Sequence, residues 1–123
     1  MKNLLHYTNC VYIVECNGLY KIGHTSHLES RLTGLQTSTP FPVSLVYVIP
    51  SLLNHRDTER ALHLIFAESH VRGEWFKLSM RDIAKIKSLS MQEILAIAEK
   101  IRAERKIPDG QLAFDFVEDE EDS

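Results

Sequence analysis

Of 123 residues, only two are cysteine, one is tryptophan, four are proline and five are glycine. Two cysteines cannot build the dense disulfide framework that small secreted domains rely on. Cys10 and Cys16 also flank a single apolar stretch, and if that stretch is extended they lie too far apart to bridge. Reduced thiols in a cytoplasmic protein are therefore expected. No uninterrupted apolar run approaches the ~20 residues of a membrane-spanning helix, and the residues ahead of the first strand lack a signal-peptide pattern, so no membrane partner is expected. Internal repeats are absent as well.

Bases are missing from the last part of the chain. From Pro108 onward there are seven acids (Asp109, Asp115, Glu118, Asp119, Glu120, Glu121 and Asp122) and no Lys or Arg. Of 17 acids, ten then face all 14 bases in residues 1–107, so the overall charge of −3 hides a domain of +4. A mildly basic domain with an acidic tail is compatible with nucleic-acid binding, although such tails also serve simply to solubilise.

What is present is organised around residues 11–31. Val-Tyr-Ile-Val-Glu-Cys (11–16) is rich in β-branched and aromatic residues, and Asn17-Gly18 is the strongest two-residue hairpin signal. Leu-Tyr-Lys-Ile-Gly (19–23) forms the returning strand. Pairing Cys16 with Leu19 sets Val14 opposite Lys21 and Tyr12 opposite Gly23. With side chains alternating every second residue, Tyr12, Val14, Lys21 and the open position at Gly23 share one face, while Glu15 and Tyr20 lie on the other. A phenol and an ammonium beside a glycine form a candidate phosphate site; a half-buried tyrosine with a snorkelling lysine fits the same residues.

A helix follows at about residues 28–36, with Ser26 and Glu29 spaced as a capping box and Leu28, Leu32 and Leu35 as the buried stripe. Arg31 lies beside that stripe, where its planar fork suits a phosphate. Residues 37–42 read as a loop. The apolar run at 43–49 reads as a central strand covered on both faces and stopped by Pro50. Asn54 is placed to cap a helix running to about residue 69, with Thr58, Leu62, Ile65 and Phe66 as its core stripe. Glu59 and His63 sit four apart on the neighbouring stripe, a spacing suited to a metal or an acid–base pair, while a glutamate this early also suits the helix dipole. Residues 71–78 read as a turn and a short closing segment. Ser79 caps a short helix, and Ser90 with Glu93 caps a longer one whose apolar stripe is Met91, Ile94, Leu95, Ala98 and Ile101.

Cys10-Val11-Tyr12, Tyr20-Lys21-Ile22-Gly23, Arg31 eight residues beyond Gly23, Glu59-x-x-x-His63 and Gly73-Glu74-Trp75-Phe76 together resemble the GIY-YIG nucleases, in particular their phage-type branch, over roughly residues 10–78. Cys10-Val11 replaces Gly-Ile, Lys21 stands where many relatives carry the second tyrosine, and Leu35 stands where many carry a histidine. The resemblance implies a Mg²⁺-dependent DNA endonuclease, with Mn²⁺ able to substitute, in which Glu59 holds the metal, Tyr12 with Lys21 activates or positions the attacking water, and Arg31 stabilises charge on the phosphoryl oxygens. Tyr20, His24, His27, His63 and Glu74 are supporting candidates, and Gly23 is the structural glycine. The alternatives are a non-catalytic nucleic-acid-binding module or a recruiting adaptor on the same fold.

The expected architecture is a small α/β domain over residues 1–78, built on a three-stranded sheet (the N-terminal β-hairpin plus a central strand) flanked by helices. A C-terminal helical extension over 79–107 and an acidic, disordered tail over 108–123 follow. Within that tail, Gln111-Leu112-Ala113-Phe114-Asp115-Phe116, with Phe114 in place of the usual leucine, resembles the peptides that bacterial replication sliding clamps accept, which implies a clamp as a partner besides DNA; a fold-back of Leu112, Phe114 and Phe116 onto the domain fits the same residues.

Overall fold

The computed structural model describes residues 9–50 and 55–105. Strands β1 (Cys10–Cys16) and β2 (Leu19–Thr25) form the expected hairpin in the expected register, with Cys16 opposite Leu19, Val14 opposite Lys21 and Tyr12 opposite Gly23. Asn17 and Gly18 both take positive φ, 54° and 85°, as the mirror-image turn demands, and Glu15 accepts a hydrogen bond from the Gly18 amide at 2.8 Å. Then come α1 (Leu28–Thr37), β3 (Val43–Pro50), α2 (His55–Ile65), a single 3₁₀ turn (Ala67–Ser69), β4 (His70–Arg72), β5 (Trp75–Phe76), α3 (Met80–Ser88) and α4 (Met91–Arg105).

The α/β class is as expected, but the sheet has five antiparallel strands rather than three, in the order β3-β1-β2-β5-β4. The closing segment at 71–78 is in fact a hairpin edge: Trp75 and Phe76 pair with Lys21 and Tyr20. A strand of two residues is too short to show alternation in sequence. Among the described residues β3 is an edge strand, while β1 is an interior strand paired on both sides and buried at six of its seven positions. The apolar run in β3 reports coverage of its faces rather than pairing of its edges. Val43, Leu45 and Val48 pack on one side and Val46, Tyr47 and Ile49 on the other, through a bulge opposite Ile13 and Val14.

Period two divides the core. Cys10, Tyr12 and Val14 face α1 through Leu28, Leu32 and Leu35. Val11, Ile13 and Ile22 face the other way, onto Ala61, Leu62 and Leu64 of α2, Ile83 and Ile86 of α3, and Ile94 and Ala98 of α4. Cys10 and Cys16 are buried free thiols, and burial pushes the Cys10 thiol up to about 11, which keeps it protonated. No described helix is long and apolar enough to cross a membrane.

The caps test local chemistry. Ser26 does not cap α1: the N-cap is His27 without a side-chain bond, Ser26 Oγ instead donates to Asn9 Oδ1 at 3.1 Å, and Thr25 Oγ1 accepts from the His27 amide at 3.0 Å. The helix begins one residue too late for the box. Ser79 caps α3 as expected and also closes a box with Asp82, and Ser90 with Glu93 caps α4 as expected. Ser79→Ala will cost about 1 kcal/mol in denaturant unfolding, because the Asp82 amide loses its acceptor at an exposed helix start. α2 ends at Ile65, earlier than expected. Asn54 and the segment 111–116 lie outside the described residues.

Candidate active site at the edge of the second strand

Gly23 is the floor of the site. A Cβ there would meet Tyr12 Oη at 2.6 Å, Tyr12 Cζ at 2.7 Å and Glu74 Oε1 at 3.0 Å, so the phenol and a carboxylate converge over a position that only glycine can occupy. Tyr12 is held by its central strand and is fully buried. Its hydroxyl accepts from Arg31 Nη1 at 3.3 Å, which α1 presents beside its Leu28 stripe. Lys21 shares the Tyr12 face by register, and its Nζ lies 2.9 Å from Glu74 Oε1 and 5.7 Å from the centre of the Trp75 ring.

The second group arrives from the opposite face. The amide of Ile22 donates to Glu74 O at 3.0 Å, just beyond the two-residue ladder with β5, and the Ile22 carbonyl accepts from His63 Nε2–H at 2.8 Å. At that point α2 brings Glu59 to the strand edge. His24, on the α2 side of β2, donates from Nδ1 to Glu59 Oε1 at 2.6 Å, and the His55 ring meets His24 edge-on at 5.2 Å. The turn bearing Glu74 is pinned by His70, whose Nε2–H donates to Gly73 O at 2.8 Å. The sheet edge is thus where side chains of both faces meet.

Tyr12, Lys21, Arg31, Glu59, His24, His63 and Glu74 are therefore brought together around Gly23. Tyr20 packs into the core on the other face, and His27 is exposed at the start of α1. Leu35, where relatives carry histidine, packs beneath the sheet with Tyr12. Two neighbours were not singled out in the sequence: His55 and Trp75. Trp75 was legible only as a core aromatic, since its pairing with Lys21 depends on a strand more than fifty residues away.

Glu59, His63 and Glu74 each offer a ligand atom within 4.8 Å of the others. Two carboxylates so placed suit a hard cation such as Mg²⁺. His63 is fully buried, and desolvation lowers its pKa to about 4, so the ring is neutral. The nitrogen that donates to Ile22 has no lone pair for a metal. Glu59 and Glu74 fit such an ion, and His63, whose Nε2 braces the strand edge beside them, could add only its Nδ1. Burial, then the hydrogen bond and charge of Glu59, raise Glu74 to about 8 against the opposing pull of Lys21.

These shifts set the pH dependence of folding. Folded Glu74 binds its proton more tightly than the unfolded residue, so its contribution falls as pH rises from about 4.5 and is lost above about 8. Folded His63 binds its proton less tightly, so its contribution is absent below about 4 and grows as pH rises towards 6.5. The two slopes oppose each other in acid and leave Glu74 alone above pH 6.5. In chelator, the Tm of the protein will fall between pH 6.5 and 8, and Glu74→Gln will flatten that limb. A flat wild-type limb would show that Glu74 keeps an ordinary pKa.

The chain is thus a small α/β domain whose sheet edge gathers a phenol, a guanidinium, an ammonium and two carboxylates. The chain belongs to the T5orf172 domain family, whose model matches residues 9–91, a span that takes in every residue of the cluster. No curated protein and no solved structure matches the chain.

Proposed function

We propose that the protein is a divalent-metal-dependent DNA endonuclease of the GIY-YIG type. The observation that carries this reading is the convergence of Tyr12, Glu74 and Glu59 at Gly23, with Arg31 and Lys21 alongside. Membership of the T5orf172 domain family supports a nuclease or DNA-binding class.

Hydrolysis of a phosphodiester forms one bond from water oxygen to phosphorus and breaks one P–O ester bond. The water gives up a proton and the leaving oxygen takes one. The Tyr12 hydroxyl, held over Gly23 beside the Arg31 guanidinium, is placed to orient the attacking water. Arg31 is also positioned to balance charge gathering on the phosphoryl oxygens. Glu59 and Glu74 would hold Mg²⁺, which when bound polarises the phosphate and stabilises the leaving oxygen. His24 and His63 keep Glu59 and the strand edge in place.

The test is incubation of the purified protein with supercoiled, linear and branched DNA in Mg²⁺, Mn²⁺ or EDTA. Nicking that requires metal is the expected result. Salt-sensitive binding without nicking in any metal would overturn the catalytic reading and leave a binding module.

A further inference from the structure

Lys21 sits at an unusual junction. Its ammonium contacts Glu74 at 2.9 Å with the two side chains only 9% and 14% exposed, so this is not a loose surface pair. The Glu74 oxygen it contacts is the one that lies over Gly23 with the Tyr12 hydroxyl. Glu74 in turn adjoins Glu59 in the group fit to hold a cation. A dication on these carboxylates and the Lys21 ammonium would compete for the same oxygens, and in so little water their repulsion is weakly screened. A displaced ammonium has a second seat: the Trp75 ring, paired across the strands with Lys21, lies 5.7 Å from Nζ. A lysine's flexible stem allows such a move, and an ammonium released there remains on the face of Tyr12 and Arg31, where a phosphate would be engaged.

We propose that Lys21 is an exchangeable partner of Glu74, held at its Oε1 until a divalent cation takes the Glu59–Glu74 site and then transferred to a phosphate oxygen of the substrate. The inference rests on the metal site of the preceding section and adds a rule to it. Metal and nucleic acid bind with positive coupling, because each removes the competitor of the other.

Calorimetric titration of the full chain with MnCl₂, at constant ionic strength and at a pH above 8 so that the Glu74 proton does not compete with the metal, tests the idea in four proteins: wild type, Lys21→Met, Lys21→Arg and Glu59→Gln. Removing the ammonium will tighten Mn²⁺ binding about tenfold in Lys21→Met, a change expected from deleting one nearby like charge. Lys21→Arg, which keeps the charge and can grip Glu74 with a planar fork, will bind Mn²⁺ no more tightly than wild type. A phosphorothioate duplex will strengthen Mn²⁺ binding by wild type and lose most of that effect in Lys21→Met. Equal or weaker Mn²⁺ binding by a natively folded Lys21→Met protein, with wild type binding and Glu59→Gln not, would overturn the exchange role of Lys21 while leaving the metal site intact. Absence of binding by wild type itself would remove the metal site and this inference with it. Circular dichroism and Tm in chelator confirm the fold of each variant.

Discussion

Glu59→Gln will reduce metal-dependent nicking by about 10³-fold or more while leaving the protein folded and able to bind DNA. Glutamine keeps the shape of the side chain and an acceptor for His24, which donates to Glu59 Oε1 at 2.6 Å, but it removes the charge that a cation needs. A loss of that size corresponds to about 4 kcal/mol of transition-state stabilisation, within the range of metal-assisted charge neutralisation. The accompanying stability change separates this from simple damage. Glu59 is 5% exposed, and a neutral amide of the same shape removes the cost of burying its charge, so in chelator the variant will unfold at the same temperature as wild type or higher. Plasmid nicking time courses and thermal melts give both readouts. Nicking at the wild-type rate would remove Glu59 from the site.

Gly23→Ala is expected to be nearly as damaging by a different route. The added methyl group would lie 2.6 Å from Tyr12 Oη and 2.7 Å from Cζ, distances that carbon atoms do not sustain, and the ring it meets is fully buried on a central strand. Either β2 moves outward or the phenol leaves its place beside Arg31. Overpacking of this kind costs about 1–3 kcal/mol of stability. A displacement of about 1 Å at the reacting groups lowers the rate by about 10²-fold. Tyr12→Phe will not relieve the strain, since Cζ remains, whereas Tyr12→Leu will. The stability cost of Gly23→Ala should therefore shrink in the Tyr12→Leu background and persist in Tyr12→Phe. Equal costs in all three backgrounds would show that the clash is not with this ring.

The hairpin at the heart of the site was readable residue by residue, because a two-residue turn and strict alternation leave no freedom in which side chains share a face. Tyr12, Lys21 and Gly23 follow from those two facts alone. Arg31 and Glu59 could be placed on helices but not aimed, since a helix face says nothing about which strand edge it meets. The partner of Lys21 was the least legible feature. Local register set Lys21 beside Tyr12, but its ion pair is with Glu74, delivered by a two-residue strand from far along the chain. The same distance hid the extra strands, the edge position of β3 and the contribution of Trp75.

That short strand has a consequence for how the molecule breathes. β1 is tied into seven-residue pairings on both sides, whereas β5 contributes two paired residues and β4 a further short hairpin at the sheet boundary. Phe76 anchors the base of the outer hairpin in the core, but few bonds hold its tip at Gly73 and Glu74, so the tip opens at a free energy below that of global unfolding. Native-state deuterium exchange will register this as rapid labelling of the Ile22 amide, bonded to Glu74 O at 3.0 Å, against slow labelling of the central strand. Such an excursion carries Glu74 away from Lys21 and uncovers Glu59 without disturbing Tyr12. A cluster that is almost dry when closed thereby gains a hinged entrance.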